Sequence, residues 1–263
     1  MRIRRVLLYV GALMFLLLFA APVMMASPAK TRSTSRPKAP AISPRATELV
    51  HKMSEYLAGL NKFQFEAETS KEVIIPAQGR VDVLARVDVS VQRPNKLYVG
   101  ITRANRDRQF FYDGKTFTVY SPSTKYYAVA PAPPTIDQML DSIDQYEGIT
   151  FPLEDLLYAN VEKTLMPDVR SGTYIGPSIV NGFSTQQLQF RQKDADWQLW
   201  IEDGNMPVPR RLVITDRGVT GEPGFTATMT KWNVAPTFSE STFTFTPPAG
   251  AKKIQFLKPR RAR

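Results

Sequence analysis

Residues 89–122 read VSVQRPNKLYVGITRANRDRQFFYDGKTFTVYSP. Apolar side chains recur here at every second position: Val89 and Val91, then Leu97, Val99 and Ile101, then Phe110 and Tyr112, then Phe117 and Val119. A period of two places those side chains on one face of a pleated strand, with the intervening residues on the other. Asp113-Gly114 separates two of the runs, and this dipeptide readily adopts the positive-φ conformations of a two-residue hairpin turn. The stretch therefore predicts consecutive antiparallel strands.

The pattern continues in both directions. Upstream, Phe63, Phe65 and Ala67 alternate with Gln64, Glu66 and Glu68, and residues 81–91 set Val81, Val83, Ala85, Val87, Val89 and Val91 on one face. Before them the period is helical: Leu49, Met53, Tyr56, Leu57 and Leu60 follow Ser43 as N-cap and Pro44 at the first helical position, and Gly59 and Asn61 mark the end. Downstream, Tyr127 and Val129 extend the strand pattern until Ala130–Pro134 (APAPP) breaks it, because proline cannot donate to a ladder. Short helices are expected from Thr135 and over 152–159, then strands over 173–180, 184–192, 195–202, 209–217 and 224–234, with a last short strand at Thr242–Pro248. About eleven strands and three helices without strand–helix alternation predict an α+β domain built on one large antiparallel sheet with a wet outer face, an N-terminal helix and a helical insertion.

Charge and composition narrow the function. The 263 residues include no cysteine and one histidine, His51, which is expected at the surface beside Glu55. Thiol chemistry and Cys-ligated metals are excluded, and neither a histidine-based triad nor a multi-histidine metal site is expected. The net charge of +10 lies at the ends: seven basic residues in 1–38 and six in 252–263, with no acid in either, leave residues 39–251 with 21 basic and 24 acidic side chains, a net of −3. A body that reads nucleic acid would carry a basic face, so no nucleic-acid partner is expected.

Residues 1–26 read as a signal peptide: Arg2, Arg4 and Arg5 precede the apolar run Val6–Ala21, and small residues at Ala26–Ala29 offer cleavage sites. An uncleaved inner-membrane anchor is the alternative, although the 16 apolar residues fall short of the ~20 that span a bilayer. Residues 27–43 form a basic Pro/Ser-rich linker expected to be disordered, 44–250 the folded domain, and 251–263 a basic tail able to touch anionic membrane. A monomer exported to the periplasm is the expected form.

Eleven one-sided strands present more apolar surface than three short helices can cover. The sheet must curl, pack as a sandwich or enclose a cavity, and a dry core meets the pattern as well as a pocket does. If a cavity forms, the inward Phe63, Phe65, Leu97 and Val99 line it.

The run Val91-Gln92-Arg93-Pro94-Asn95, followed by Asp113-Gly114-Lys115-Thr116 and Tyr120-Ser121-Pro122, resembles the periplasmic outer-membrane lipoprotein-carrier superfamily (LolA/LolB-like), in particular its uncharacterised periplasmic branch. The Phe243–Gly250 ending (FTFTPPAG) is similar too. The resemblance implies an incomplete antiparallel barrel around an apolar cavity, closed by a helical lid. It also implies that the protein carries an acylated ligand, without enzymatic activity or cofactor. By this resemblance Arg93 is implied to donate hydrogen bonds to lid carbonyls, a role its fixed fork of donors suits. Leu97 falls on an apolar ligand-contact position, and Ile136, Met139, Leu140 and Ile143 become lid residues facing the ligand. The chain departs from the family in a longer insertion at 131–170 and fewer aromatics around the Arg-Pro-Asn motif, so transfer to an outer-membrane receptor does not follow.

Two other functions compete with carriage. One is an envelope sensor or interaction module with a protein partner, for which Trp197, Trp200 and Trp232 are the aromatics to place. The other is a carboxylate hydrolase built on Glu154-Asp155 or Asp141/Asp144. Acids on such helices are expected on solvated faces, and no nucleophile elbow, phosphate-binding glycine loop or metalloprotease motif accompanies them. No catalytic or metal-ligating residue is assigned.

Overall fold

A computed structural model describes residues 41–257 apart from 105, 144–145, 147–148 and 150–152. The expected signal peptide, Asp144, most of the linker and the last six residues of the tail lie outside the described residues. Helix α1 spans Pro44–Gly59, with Ser43 in extended conformation at its N-cap and Pro44 at its start. Its fixed φ suits proline to that position, where its missing N–H would have had no helical partner. The helix buries Leu49, Val50, Met53 and Leu57, which at this spacing form one stripe, each contributing about 1.5–3 kcal/mol on full burial.

Strands β1 (Lys62–Ile75), β2 (Gly79–Gln92), β3 (Lys96–Thr102), β4 (Arg108–Tyr112), β5 (Thr116–Ser121) and β6 (Tyr126–Pro131) form an antiparallel meander. At its Asp113-Gly114 turn, Asp113 Oδ1 accepts from the backbone N–H groups of Lys115 (2.9 Å) and Thr116 (2.7 Å), and Gly114 has φ of 90°. A second meander comprises β7 (Ser171–Val180), β8 (Phe183–Arg191), β9 (Ala195–Glu202), β10 (Pro209–Asp216) and β11 (Gly224–Asn233). Pairing of β1 with β11 joins the two into one open, curved sheet ordered β12-β6-β5-β4-β3-β2-β1-β11-β10-β9-β8-β7. Register shifts at Glu66/Ala67 and Tyr174/Gly176 add the local twist that helps such a sheet curl.

This order has a topological consequence. The chain leaves the first meander at β6, near one end of the sheet, and re-enters at β7, the opposite end. The intervening helices α2 (Ile136–Ser142) and α3 (Val161–Leu165) bury Ile136, Met139, Leu140, Val161 and Leu165 in the core that lines the concave face. The insertion becomes a cover because the strand order obliges it to cross. At the far end Gly172 receives the ring of Phe190, whose Cδ1 would lie 2.6 Å from an added Cβ, and Ile42 bridges to it just before α1.

Four expectations are corrected. The helix expected over 152–159 is a 3-10 turn at Glu154–Leu156, and the regular helix α3 begins later, capped by Asn160, whose side chain accepts from Lys163 N–H. No strand forms at Thr242–Pro248: Glu240–Thr242 is a 3-10 turn, and Pro247 and Pro248 lack donors. The last strand is β12 (Lys252–Ile254), parallel to β6. The outer face of the first meander is partly dry, because Phe245 packs there against Phe111, Tyr120 and Tyr127 at 5.1–5.4 Å between ring centroids. Finally, the apolar face read over 81–91 is fully buried only from Val87 onward; beyond the Lys71–Val83 pair, β1 and β2 run on as a two-stranded ribbon whose Val81 is 41% exposed.

Candidate functional site

Arg93 ends the hairpin root, where its N–H donates to Asn61 O at 2.8 Å. Its side chain reaches the insertion: Nη1 donates to Leu157 O (3.2 Å) and Nη2 to Tyr158 O (3.0 Å). The guanidinium carbon lies 5.6 Å from the Phe63 ring centroid, a favourable placement for a cation whose burial lowers its pKa; Asp137 opposes that shift. One planar group thus holds two consecutive carbonyls of the cover, and hydrogen bonds from a charged donor contribute about 1.5–3 kcal/mol each.

Further bonds tie the same cover to the same sheet end. Ile136 N–H donates to Pro94 O at 2.9 Å, so the residue after Arg93 receives the start of α2. Tyr112 Oη donates to Pro133 O, and burial, aided by Asp113, pushes its hydroxyl pKa up to about 12. Within the cover, Asp137 Oδ1 accepts from Ala159 N–H (3.0 Å), and Tyr158 Oη donates to Asp141 Oδ1 (3.1 Å). These bonds join α2 to the segment that Arg93 holds. Across α1, Ser54 Oγ accepts from Glu162 N–H at 3.0 Å. His51 lies half-exposed with Nδ1 2.8 Å from Glu162 and Nε2 3.2 Å from Glu55, and those carboxylates raise its pKa.

Beneath this polar latch the interior is apolar. Phe63, Phe65, Leu97, Val99, Ile136, Met139, Leu140 and Ile143 are all buried and belong to one contiguous cluster, together with Leu153, Leu156 and Leu157 from the 3-10 turn. The expected ligand-contact residues pack as core. Trp232 borders the cluster, its ring centroid 4.6 Å from Phe65 and its Nε1 donating to Pro209 O at 3.1 Å.

Sequence reasoning placed Arg93 but missed Tyr112, Asp137 and Tyr158. A detectable signal existed for Tyr112 alone: an inward tyrosine in an apolar alternation must find a partner for its hydroxyl. The Glu154-Asp155 pair, expected on a solvated face, is instead 1% and 4% exposed. Asp141 serves the α2 contact just described. Trp197 is buried and stacks on Phe190 at 4.2 Å, whereas Trp200 points to the opposite face, 5.7 Å from the Arg211 guanidinium. Among the described residues no group of three or more His, Asp or Glu side chains is arranged to hold a metal ion, and no helix is long and apolar enough to cross a membrane.

No curated protein matches the chain. Similar solved structures include an uncharacterised conserved protein from Thermus thermophilus, 12% identical with a TM-score of 0.49 over 80% of this chain and 99% of its own. LprF from Mycobacterium bovis is 14% identical, with a TM-score of 0.43 over 80% of this chain and 99% of its own. The LolA superfamily protein NE2245 from Nitrosomonas europaea is 14% identical, with a TM-score of 0.40 over 76% and 97%. A family model described as "Predicted periplasmic protein (DUF2092)" matches residues 46–257, which comprise every helix and strand described except the first two residues of α1. The chain belongs to the DUF2092 family of predicted periplasmic proteins.

Proposed function

We propose that this protein is a non-enzymatic periplasmic carrier that holds an acyl-chain or lipoprotein-like ligand between its concave sheet and its helical lid. The observation that carries the reading is the fork from Arg93 to Leu157 O and Tyr158 O above an interior made of apolar side chains. A core meant only to be stable has no need of a cation at its rim, since apolar packing does as well without desolvating a charge. A latch made of hydrogen bonds is different: it releases and re-forms without covalent change. Each methylene transferred inward contributes about 0.8 kcal/mol, so an acyl chain binds without a specific polar contact and can compete with the lid for the same surface.

In this reading Phe63, Phe65, Leu97 and Val99 form the floor, and Ile136, Met139, Leu140 and Ile143 the ceiling. Methionine suits an irregular chain because it is unbranched and polarizable. Export by removal of residues 1–26 belongs to the same proposal.

The test is native mass spectrometry of the protein purified from its own envelope as the chain from Ser27, with organic extraction, followed by titration of the delipidated protein with a fluorescent fatty acid. Saturable binding, lost in Leu97→Glu, is the expected result. Its absence favours a protein-interaction module, for which the placement of Trp200 beside Arg211 on the outer face is the supporting observation. In that case Trp200→Ala removes partners from a pull-down.

A further inference from the structure

The edge of the sheet at β12 differs from the rest of the molecule in charge. Residues 114–136, which contain β5 and β6, and residues 241–263, which contain β12, carry eight lysines and arginines and no carboxylate. Residues 39–251 as a whole have a net charge of −3, so positive charge is concentrated in these two segments of the sequence. Lys125 and Lys252 are joined there by a backbone bond from Lys252 N–H to Lys125 O at 2.8 Å, and Lys252 and Lys253 are exposed.

The same edge exposes apolar side chains. Tyr126 is 43%, Ile254 48% and Leu257 70% exposed, around a groove of about 340 Å³ that Val119, Tyr127 and Phe256 also line. Phe256 anchors the segment, with ring centroids 6.1 Å from Phe117 in the core and 4.7 Å from Tyr146 in the insertion. Leu257 is then presented outward, and the six residues after it add Lys258, Arg260, Arg261 and Arg263. At the opposite edge β7 also exposes Ile175 and Ile179, but residues 171–183 carry no charge at all, and nothing there indicates what would cover them.

We propose that the β12 edge is a docking surface for an anionic lipid bilayer, with Ile254 and Leu257 entering the interface and the flanking Lys125, Lys252 and Lys253 meeting acidic headgroups. Small apolar groups inserted beside a basic cluster combine two weak attractions that separately give marginal binding. Each basic residue near an anionic surface contributes about 1 kcal/mol, and screening by salt removes that part selectively. Tyrosine at the rim suits the headgroup region, being apolar along its ring and polar at its tip.

The experiment is co-sedimentation of the chain from Ser27 with phosphatidylcholine vesicles, with and without phosphatidylglycerol. Binding is expected only with phosphatidylglycerol, and it falls as salt rises. Replacing Lys252 and Lys253 by Gln weakens it about fivefold per charge, and Ile254→Ser with Leu257→Ser weakens it roughly tenfold at unchanged charge. Both side chains are largely exposed, so an unaltered melting temperature verifies that the variants fold. Neutralising Lys30, Arg32, Arg36 and Lys38 separates the linker's charge from that of the edge and is expected to leave most of the binding. No binding to phosphatidylglycerol vesicles overturns the proposal. So does binding indifferent to Ile254→Ser and Leu257→Ser, or binding abolished by the linker variant alone; each would mean simple attraction of charge. Phosphatidylglycerol itself carries acyl chains, so the fatty-acid titration is repeated on the Ile254→Ser, Leu257→Ser variant: loss of vesicle binding alone separates the edge from the cavity, and loss of both overturns the proposal.

Discussion

The two ends of the β1–β2 hairpin have similar sequence patterns and different fates. At the root, Val87, Val89 and Val91 are at most 1% exposed beneath the helical cover, and Arg93 holds that cover by two carbonyls. At the tip Val81 continues the same alternation, yet it is 41% exposed, and Arg80 pairs with Glu72 in solvent. Alternation specifies which side chains share a face. It does not specify whether anything lies over that face, because burial is supplied by elements distant in sequence.

The comparison can be broken most forcefully with a carboxylate. Val89→Asp is expected to cost about 4 kcal/mol or more, enough to unfold the domain, since it buries an unpaired charge; Val81→Asp is expected to cost less than about 1 kcal/mol. Urea titration followed by circular dichroism measures both. The two arginines sharpen the contrast next. Arg93→Ala removes two charge-assisted bonds and leaves the Leu157 and Tyr158 carbonyls without their donor, an expected loss of about 2–4 kcal/mol, with faster amide exchange concentrated in 153–165. Arg80→Ala is expected to change stability by about 1 kcal/mol or less, as for other exposed pairs.

A smaller effect is expected where α1 meets the cover. Glu162 and Glu55 raise the pKa of His51, so its folded value lies above the ordinary 6.5. The favourable interaction is therefore fully present below pH 6.5 and is lost as pH rises through the folded value. Protection factors of α3 amides should fall over that interval in the native protein and stay flat in His51→Gln. The smallest effect belongs to the tip: Leu84→Thr, at a side chain 69% exposed, should leave the unfolding midpoint within error while reducing self-association at high concentration.

Much of this architecture was legible from residues near one another. The start of α1 at Ser43-Pro44, the Asp113-Gly114 turn and the onset of α2 after Thr135 follow from local backbone chemistry. The outer half of β1 was not legible, because Thr69–Glu72 shows no apolar alternation, and backbone pairing with β2, joined as far as Lys71 by β11, asks for none. Helix α3 is five residues long, too short for a periodic signal. Residues 251–263 read as a basic tail, and the strand β12 within them became visible only beside β6, whose free edge it pairs with. Arg93 came from a short motif, whereas Tyr158 and Asp137 could be placed only when the insertion lay across the sheet.

The sequence by itself determined most of the strands, most of their turns, the inward face of the central ones and the segregation of charge to the chain ends. Those properties depend on residues a few positions apart, where backbone sterics and the two-residue period act directly. Only the tertiary structure decided that β1 pairs with β11, setting Phe65 opposite Trp232. It alone decided that the insertion crosses the concave face to Arg93, and that Phe245 and β12 return to the first meander. Such contacts join segments far apart in sequence, and each forms only when the gain from burial exceeds the entropy of closing the chain between them.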